Sequence, residues 1–279
     1  MTDEPNLLGD YVRARRELVT PEAAGIPAVG IRRVPGLRRE EVAMLAGISA
    51  DYYLRLEQGR DRNPSVQVLE SLARVLRLDD DATAYLLRLG ATRPRRRSDR
   101  RRPETVPAGI AQLVSTLPLP ALVEDRYFDI LAANPLATAL SPRLAAGVNR
   151  LWGLFCDPAD QALYPDWEET TEGAVAVFRQ SIGTDTDDPR FVELVGGLCL
   201  RSPRFSRLWA RHDVQVCEGA PMRFAHPQVG DLRLNAEKLH IGGTAGQMLV
   251  VLHPDPGTDS ADKLALLASV ARTPADAVS

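Results

Sequence analysis

The stretch RREEVAMLAGISADYYLRLEQGRDRNPS, from Arg38 to Ser65, holds two short amphipathic runs that meet at the letters AGIS. Gly47 lies where the first run must end and the chain must turn sharply, a position that favours positive φ and therefore glycine. Ser49 offers a hydroxyl that can cap the next helix, which is predicted over residues 50–58 and is ended by Gly59. The stretch therefore predicts two helices joined by a turn of three or four residues.

Helical spacing of apolar residues continues on both sides of this stretch, from Leu7 to Gly90. The clearest run places Leu69, Leu72 and Leu76 on one face. The pattern predicts about five short helices. Two helices that cross at so short a turn form a helix-turn-helix, whose second member lies in the major groove of DNA. The alternative interpretation is a helical corner that binds protein.

Charge is distributed unevenly along the 279 residues, although the total is only −3. Residues 1–102 contain 20 arginines and 15 acidic residues, a net charge of +5, whereas the remainder carries 14 basic and 22 acidic residues, a net charge of −8. A basic front half is the expected footprint of a polyanion binder. No apolar run approaches the ~18 residues of a membrane span, so no membrane partner is expected and we predict a cytoplasmic protein.

The segment RPRRRSDRRRP, from Arg93 to Pro103, has seven arginines and almost nothing to bury. It predicts a boundary, with a helical domain over 1–92, an arginine-rich linker over 93–103 and a second domain over 104–279. In the second domain we expect a helix, two strands, a helix entered at Asn134 and a mainly helical stretch over 149–211. β-like runs follow, VQVCEG, PMRFAH, GDLRLN, KLHIGG and QMLVVLH, with a hairpin signal at AHPQVGD, and then a final helix. The fold class is therefore an all-α domain followed by an α+β domain with an antiparallel sheet.

Patterns that carry catalysis or metal binding are missing from the sequence. It has no P-loop, no GxSxG and no HExxH, and its four histidines occur singly. The three cysteines form no CxxC pair. We expect neither an enzyme nor a metal site, and no required cofactor.

The arrangement over 38–78, RREEVAMLAGISADYYLRLEQGRDRNPSVQVLESLARVLRL, resembles the phage-repressor-like, Xre-type helix-turn-helix. The run LGDYVRARRELVTPEAAG from Leu8, together with LYPDWEE, DDPRF, LRSPRFSRLWARHDV and HPQVGDLRL further on, is similar to the MmyB-like branch of Xre regulators. The resemblance covers nearly the whole chain. It implies a five-helix DNA-binding domain followed by a PAS-like domain that encloses an apolar cavity.

The resemblance also implies particular DNA contacts. Base edges are read from the first two turns of the third helix, here Ala50, Asp51, Tyr52 and Arg55. The phosphate contacts that we expect come from the helix starts and the neighbouring loops: Arg32, Arg33, Arg38, Arg39, Ser49, Arg60 and Arg62. For Arg32 and Arg33 the alternative is a solvated loop, and for Asp51 it is an ion pair that holds Arg55. Arg16 and Glu57 occupy positions that often form an ion pair between the first and third helices, so we assign them to structure.

For the second domain the resemblance implies a fatty-acid-like or other apolar effector. We expect its pocket to be lined by the large apolar side chains and one histidine: Trp152, Phe155, Tyr164, Trp167, Phe178, Trp209, His212, Met222, Phe224 and Met248. The same side chains can equally fill a solid core. The prediction is a homodimeric regulator on a double-stranded, pseudo-palindromic DNA operator. The alternative is a protein-interaction regulator, antitoxin-like or sigma-factor-contacting, whose second domain is a solid dimerisation core.

Overall fold

The computed structural model describes residues 6–27, 34–61, 63–91, 105–216 and 219–271. The chain forms two compact units, and each unit is built from three separate stretches of the chain. The first unit combines residues 1–97 with 175–188 and 206–216. The second unit combines residues 98–174, 189–205 and 217–279. The arginine-rich segment 93–103 lies outside the described residues.

Five helices form the front of the first unit, as the apolar spacing predicts. Their bounds are α1 Leu7–Leu18, α2 Arg39–Ala46, α3 Ala50–Glu57, α4 Val66–Val75 and α5 Asp80–Gly90. One apolar core joins them, and its fully buried side chains include Tyr11, Val12, Leu37, Val42, Tyr53, Leu56, Leu72 and Leu86. Burial of this shared core, more than helix propensity, stabilises helices as short as eight residues.

Local side chains determine where these helices begin and end. The Ser49 and Asp79 side chains accept hydrogen bonds from the backbone N–H groups of Tyr52 and Ala82, at 3.1 and 2.8 Å. Gly47 has a φ of 70°, and its N–H reaches the carbonyls at the end of α2. The predicted turn is therefore present. Of the apolar pair Val42 and Leu45 on α2, Val42 is buried and Leu45 is 40% exposed.

Two further segments complete the first unit. They are the second half of α10 (Trp167–Ile182) with the loop after it, and the end of α12 (Pro203–Ala210) with the residues that follow. The run VQVCEG, read from the sequence as β-like, forms no strand over 214–216, and residues 217–218 lie outside the described residues. Val214 is instead buried in the core of the first unit, because a long-range apolar contact outweighs a short alternating pattern.

The second unit surrounds an antiparallel sheet of β1 (Ala121–Glu124), β2 (Ile130–Ala133), β3 (Ala220–His226), β4 (Gly230–His240) and β5 (Met248–His253). The strand order is β2-β1-β5-β4-β3. The predicted hairpin at HPQVG joins β3 to β4. The runs GDLRLN and KLHIGG, read separately from the sequence, contribute to one eleven-residue strand because β4 continues its ladder along β5.

The other elements of the second unit include α6 Ala108–Thr116, α7 Pro135–Leu140, a 3-10 helix Pro142–Leu144, α8 Arg150–Cys156, α9 Pro158–Ala162, α11 Pro189–Arg201 and α13 Asp259–Ala271. Asn134 caps α7, as its position before Pro135 predicts. Helix α6 packs on one face of the sheet, against Ala121, Val123 and Leu249. The opposite face carries Leu122 and Val250, which line a cavity.

Candidate nucleic-acid interface and ligand cavity

Helix α3 is fixed at its C-terminal end by the carboxylate of Glu57, whose side chain is 2% exposed. Arg16 of α1 donates to Glu57 Oε1 at 2.7 Å, and Arg39 of α2 donates to Oε2 at 2.6 Å. Asn6 adds a bond from its side-chain amide to the Glu57 carbonyl, at 2.7 Å. One carboxylate therefore joins three helices. The Arg16–Glu57 pairing was expected from the resemblance, whereas the contact from Arg39 was not.

The ionisation of Glu57 follows from these contacts. Burial by itself raises the pKa of a carboxyl group, because it penalises the charged form. The hydrogen bonds and positive charges of Arg16 and Arg39 outweigh burial and hold the pKa of Glu57 below its ordinary value. Glu57 is therefore an anion at neutral pH, and the three side chains form a charged cluster.

The N-terminal half of α3 presents the residues expected to read bases. Ala50, Asp51 and Arg55 are exposed and Tyr52 is half-buried. Arg55 forms an ion pair with Asp51 one turn earlier. Its guanidinium lies over the Tyr52 ring, 5.7 Å from the centroid. Arg55 is thus oriented by two neighbours while its other N–H groups remain as donors.

The residues expected to contact phosphates lie around the start of α2 and the ends of α3. Arg38, Arg39, Ser49 and Arg60 are all exposed. The backbone N–H of Arg38 donates to the carboxylate of Glu41 at 2.7 Å, which caps α2. Arg32, Arg33 and Arg62 lie outside the described residues. Exposed guanidiniums beside two helix N-termini form a surface suited to anions.

A cavity of about 360 Å³, a volume that includes its opening to solvent, lies against the sheet of the second unit. Its lining combines strand side chains with the 3-10 helix and the start of α8: Leu122, Leu144, Arg150, Tyr164, Met222, Phe224, Ala236, Lys238, Val250 and Leu252. The enclosed part of this space is small, about 30 Å³. A mostly apolar wall with few polar groups is typical of small-molecule sites.

The polar side chains of the cavity wall differ in whether they already have an ionic or hydrogen-bond partner. Arg150 donates twice to the fully buried carboxylate of Glu124, from Nε at 2.8 Å and from Nη2 at 3.1 Å. Burial raises the pKa of Tyr164, so its phenol is neutral. No ion pair joins half-buried Lys238 to a carboxylate among the residues that the structure describes. Sequence patterns gave no signal for Arg150 or Lys238, since neither belongs to a motif.

The structure places the ten predicted pocket residues in three groups. Tyr164, Met222 and Phe224 line the cavity. The other members of the second unit lie elsewhere in it: Phe155 packs on Phe205, Trp152 on Arg201 and Trp167 on Arg204, and Met248 is a buried β5 residue outside the lining. Phe178, Trp209 and His212 belong to the first unit. Most of the predicted aromatic residues therefore pack away from the cavity, whose wall is mainly aliphatic.

These features define the class of protein as a helix-turn-helix DNA-binding regulator with a ligand-binding domain. Residues 7–86 match the model of a helix-turn-helix domain. Residues 106–267 match the MmyB-like transcription regulator ligand binding domain, so the chain belongs to this family of transcription regulators, which is not an enzyme family. No curated protein matches the chain. Among the described residues, no helix has the length and apolar character needed to cross a membrane.

Proposed function

We propose that the chain binds a pseudo-palindromic operator as a homodimer and responds to a fatty-acid-like effector. The observation that carries the DNA half of this proposal is Arg55, oriented by Asp51 and Tyr52 at the exposed start of α3. A guanidinium whose freedom is already reduced loses less conformational entropy when it binds a base.

In this proposal Arg55 donates to O6 and N7 of a guanine, which contributes about 1–3 kcal/mol of discrimination. Asp51 accepts from cytosine N4, and Ala50 contacts a thymine methyl group. Tyr52 completes the base-reading surface. The phosphate contacts set register and come from Arg38, Arg39, Ser49 and Arg60, with Arg32, Arg33 and Arg62 outside the described residues.

Binding-site selection with the full chain tests this proposal. We expect two inverted half-sites spaced by about 10 bp or a multiple of that distance. Arg60→Ala, which removes an exposed guanidinium, should weaken binding to every duplex alike and reduce the salt dependence of binding by about one counterion. Absent or salt-insensitive DNA binding, together with a defined protein partner, would favour a protein-interaction regulator instead.

The dimer and the bound ligand can be examined together by native mass spectrometry of the full chain. We expect two chains per complex, and release of an apolar acid on denaturation. A monomer at concentrations that saturate the operator would contradict the homodimer. A dimer without ligand that also fails to bind any added fatty acid would instead favour a solid dimerisation core.

The effector half of the proposal rests on the chemistry of the cavity. Its walls suit an alkyl chain, and Arg150 is already neutralised by Glu124. Lys238 therefore supplies the cation available to an anionic head group, and the Tyr164 hydroxyl supplies a second donor. An apolar chain that ends in a carboxylate satisfies both parts of the site.

Calorimetric titration of dodecanoate and of dodecan-1-ol tests the assignment of the head group. Lys238→Met should weaken dodecanoate binding about tenfold or more, because a charged hydrogen bond is lost, and should leave dodecanol binding nearly unchanged. The matched control is Lys263→Met, because Lys263 pairs with Asp259 on α13 and does not line the cavity. Equal effects of the two substitutions would contradict the role of Lys238.

A further inference from the structure

The first compact unit contains more chain than the helix-turn-helix match. That match ends at residue 86, yet residues 175–188 and 206–216 belong to the same unit. These two segments contribute Val214 to the apolar core of α1–α5. They also contribute a polar cluster centred on Arg179, which neither family match assigns to a role.

Arg179 is 6% exposed. Its guanidinium stacks on the Trp209 ring at 3.7 Å and donates to the Trp209 carbonyl. A second nitrogen lies 3.2 Å from His212 Nδ1. Its Nε has no hydrogen-bond partner among the described residues. Burying a guanidinium without a directly bound carboxylate is costly, so this arrangement costs stability and fixes geometry.

His212, in the same cluster, has both an unusual pKa and an unusual backbone conformation. Burial, followed by the charges of Arg179 and Arg15, lowers the pKa of His212 to about 3, so the ring is neutral. Because Arg179 can only donate, Nδ1 accepts and the proton lies on Nε2. His212 also has a φ of 55°, a backbone conformation that persists only where the surroundings hold it.

From this cluster, contacts extend to α1. The His212 ring lies edge-on to Tyr11, with centroids 6.3 Å apart. Asp213 accepts from Arg15 at 2.5 Å. The next residue, Val214, is buried in the apolar core that the five helices share. The loop therefore restrains α1 directly through a ring contact and an ion pair.

The same segments also restrain α5. Arg88 donates to Gln180 Oε1 at 2.5 Å. The backbone N–H of Val216 donates to the Asp81 carboxylate at 2.9 Å. The charge of Arg179 acts on the hydroxyl of Tyr85, whose ring in turn packs on Tyr11 at 5.2 Å. Contacts from the same two segments therefore restrain both α1 and α5.

Helix α1 passes this restraint on to the DNA-reading helix. Arg16 donates to the carboxylate of Glu57 at the end of α3, and the Asn6 side chain donates to the backbone carbonyl of Glu57. At Gly9 a Cβ atom would lie 2.4 Å from the Glu57 carbonyl oxygen, so the two backbones are in close contact. A small displacement of α1 therefore displaces α3, because packed helices move as rigid elements.

We propose that Arg179 is a positioning residue for DNA recognition, and that residues 175–188 and 206–216 complete the DNA-binding unit by holding α1 and α5. This inference rests on the proposed function of α3 as the base reader. It predicts that loss of the cluster lowers binding to the operator more than binding to unrelated DNA, because phosphate contacts tolerate a displaced α3 better than base contacts do.

The test compares Arg179→Met with Arg204→Met in the full chain. Arg204 is a matched control on the same pair of helices: it lies over Trp167 at 5.0 Å, donates to Thr171 at 2.7 Å and belongs to the second unit. Affinities for the selected operator and for an unrelated duplex are measured well below each variant's unfolding temperature. A loss of folded protein lowers the affinities for the operator and for the unrelated duplex by the same factor. A displaced α3 instead lowers the ratio of operator affinity to unrelated-duplex affinity.

We expect Arg179→Met to reduce the ratio of specific to non-specific affinity about tenfold, and Arg204→Met to leave it within about twofold. Amide exchange should accelerate in α1 and α3 of Arg179→Met. If that variant does not fold, Asp213→Asn removes the negative charge that pairs with Arg15 at the half-exposed edge of the cluster, with a smaller loss expected. An unchanged ratio in the folded variants would overturn the positioning role. Failure of the wild-type chain to prefer any duplex would overturn the proposed function itself.

Discussion

Two buried glutamates, one in each unit, are held by arginine in different surroundings. Glu57 receives Arg16 and Arg39 from two helices, with 2% of its side chain exposed. Glu124 is fully buried and, among the described residues, forms its ion pair with Arg150, which borders the cavity and is 18% exposed. The same ion-pair chemistry therefore fixes helix positions in the first unit and forms part of a ligand wall in the second. The difference lies in what adjoins the arginines: Arg150 borders the cavity, whereas Arg16 is nearly buried and Arg39 is 43% exposed.

The largest effect should come from Glu57→Ala. The substitution leaves the nearly buried guanidinium of Arg16 without its carboxylate, which costs about 3–5 kcal/mol of unfolding free energy. Urea denaturation followed by circular dichroism measures this value. A loss below about 1 kcal/mol, the range of exposed pairs, would show that the cluster is not the brace that its geometry implies.

Glu124→Gln should cost less, about 1–3 kcal/mol, although Glu124 is the more deeply buried carboxylate. Arg150 borders the cavity, so water can reach the uncompensated cation, and glutamine keeps one acceptor. The same urea titration gives the comparison. A greater loss for Glu124→Gln than for Glu57→Ala would mean that access to the cavity does not relieve the buried charge.

Acid should weaken the Glu57 cluster. Because the pKa of Glu57 is lower in the folded state, its contribution is fully present above the ordinary glutamate pKa and is lost as pH falls through the folded value. The stability difference between wild type and Glu57→Gln should therefore shrink as pH decreases below the ordinary carboxyl range. Urea denaturation midpoints of both proteins, recorded from neutral to acidic pH, measure this stability difference. A difference that stays constant with pH would contradict the lowered pKa of Glu57.

The smallest effect should come from Arg13→Ala. Arg13 pairs with Glu17 one turn later on α1, and both side chains are more than half exposed. Such pairs contribute about 0.3–0.5 kcal/mol. Urea denaturation should find a change of that size, which sets the baseline for the buried clusters. A loss of several kcal/mol of unfolding free energy would mean that solvent exposure does not distinguish this pair from the buried ion pairs.

Much of the first unit could be predicted from the sequence because its signals are local. The helix spacing, the left-handed Gly47 and the Ser49 cap each depend on residues a few positions apart. Arg39 was expected at a phosphate, and its bond to Glu57 was missed because the two residues are 18 positions apart. The burial of Val214 in the helical core was missed for the same reason, at a far longer separation.

The cavity was harder to predict because its wall is assembled across strands. Lys238 becomes a neighbour of Val250 and Leu122 only through the strand register. Large aromatic residues were the natural candidates, yet Phe178 and Trp209 pack on each other in the first unit. Apolar periodicity reports that a side chain is buried, and it does not distinguish a core from the wall of a cavity.

The most direct test of the central claim is binding-site selection with wild type and Arg55→Ala in parallel. Arg55 is exposed on α3 and outside the apolar core, so the variant should fold normally. We predict that the wild type selects paired half-sites and that Arg55→Ala loses preference at one base pair in each half-site, a loss of about 1–3 kcal/mol. An identical selected sequence for both proteins would contradict the assignment of α3 as the reading helix.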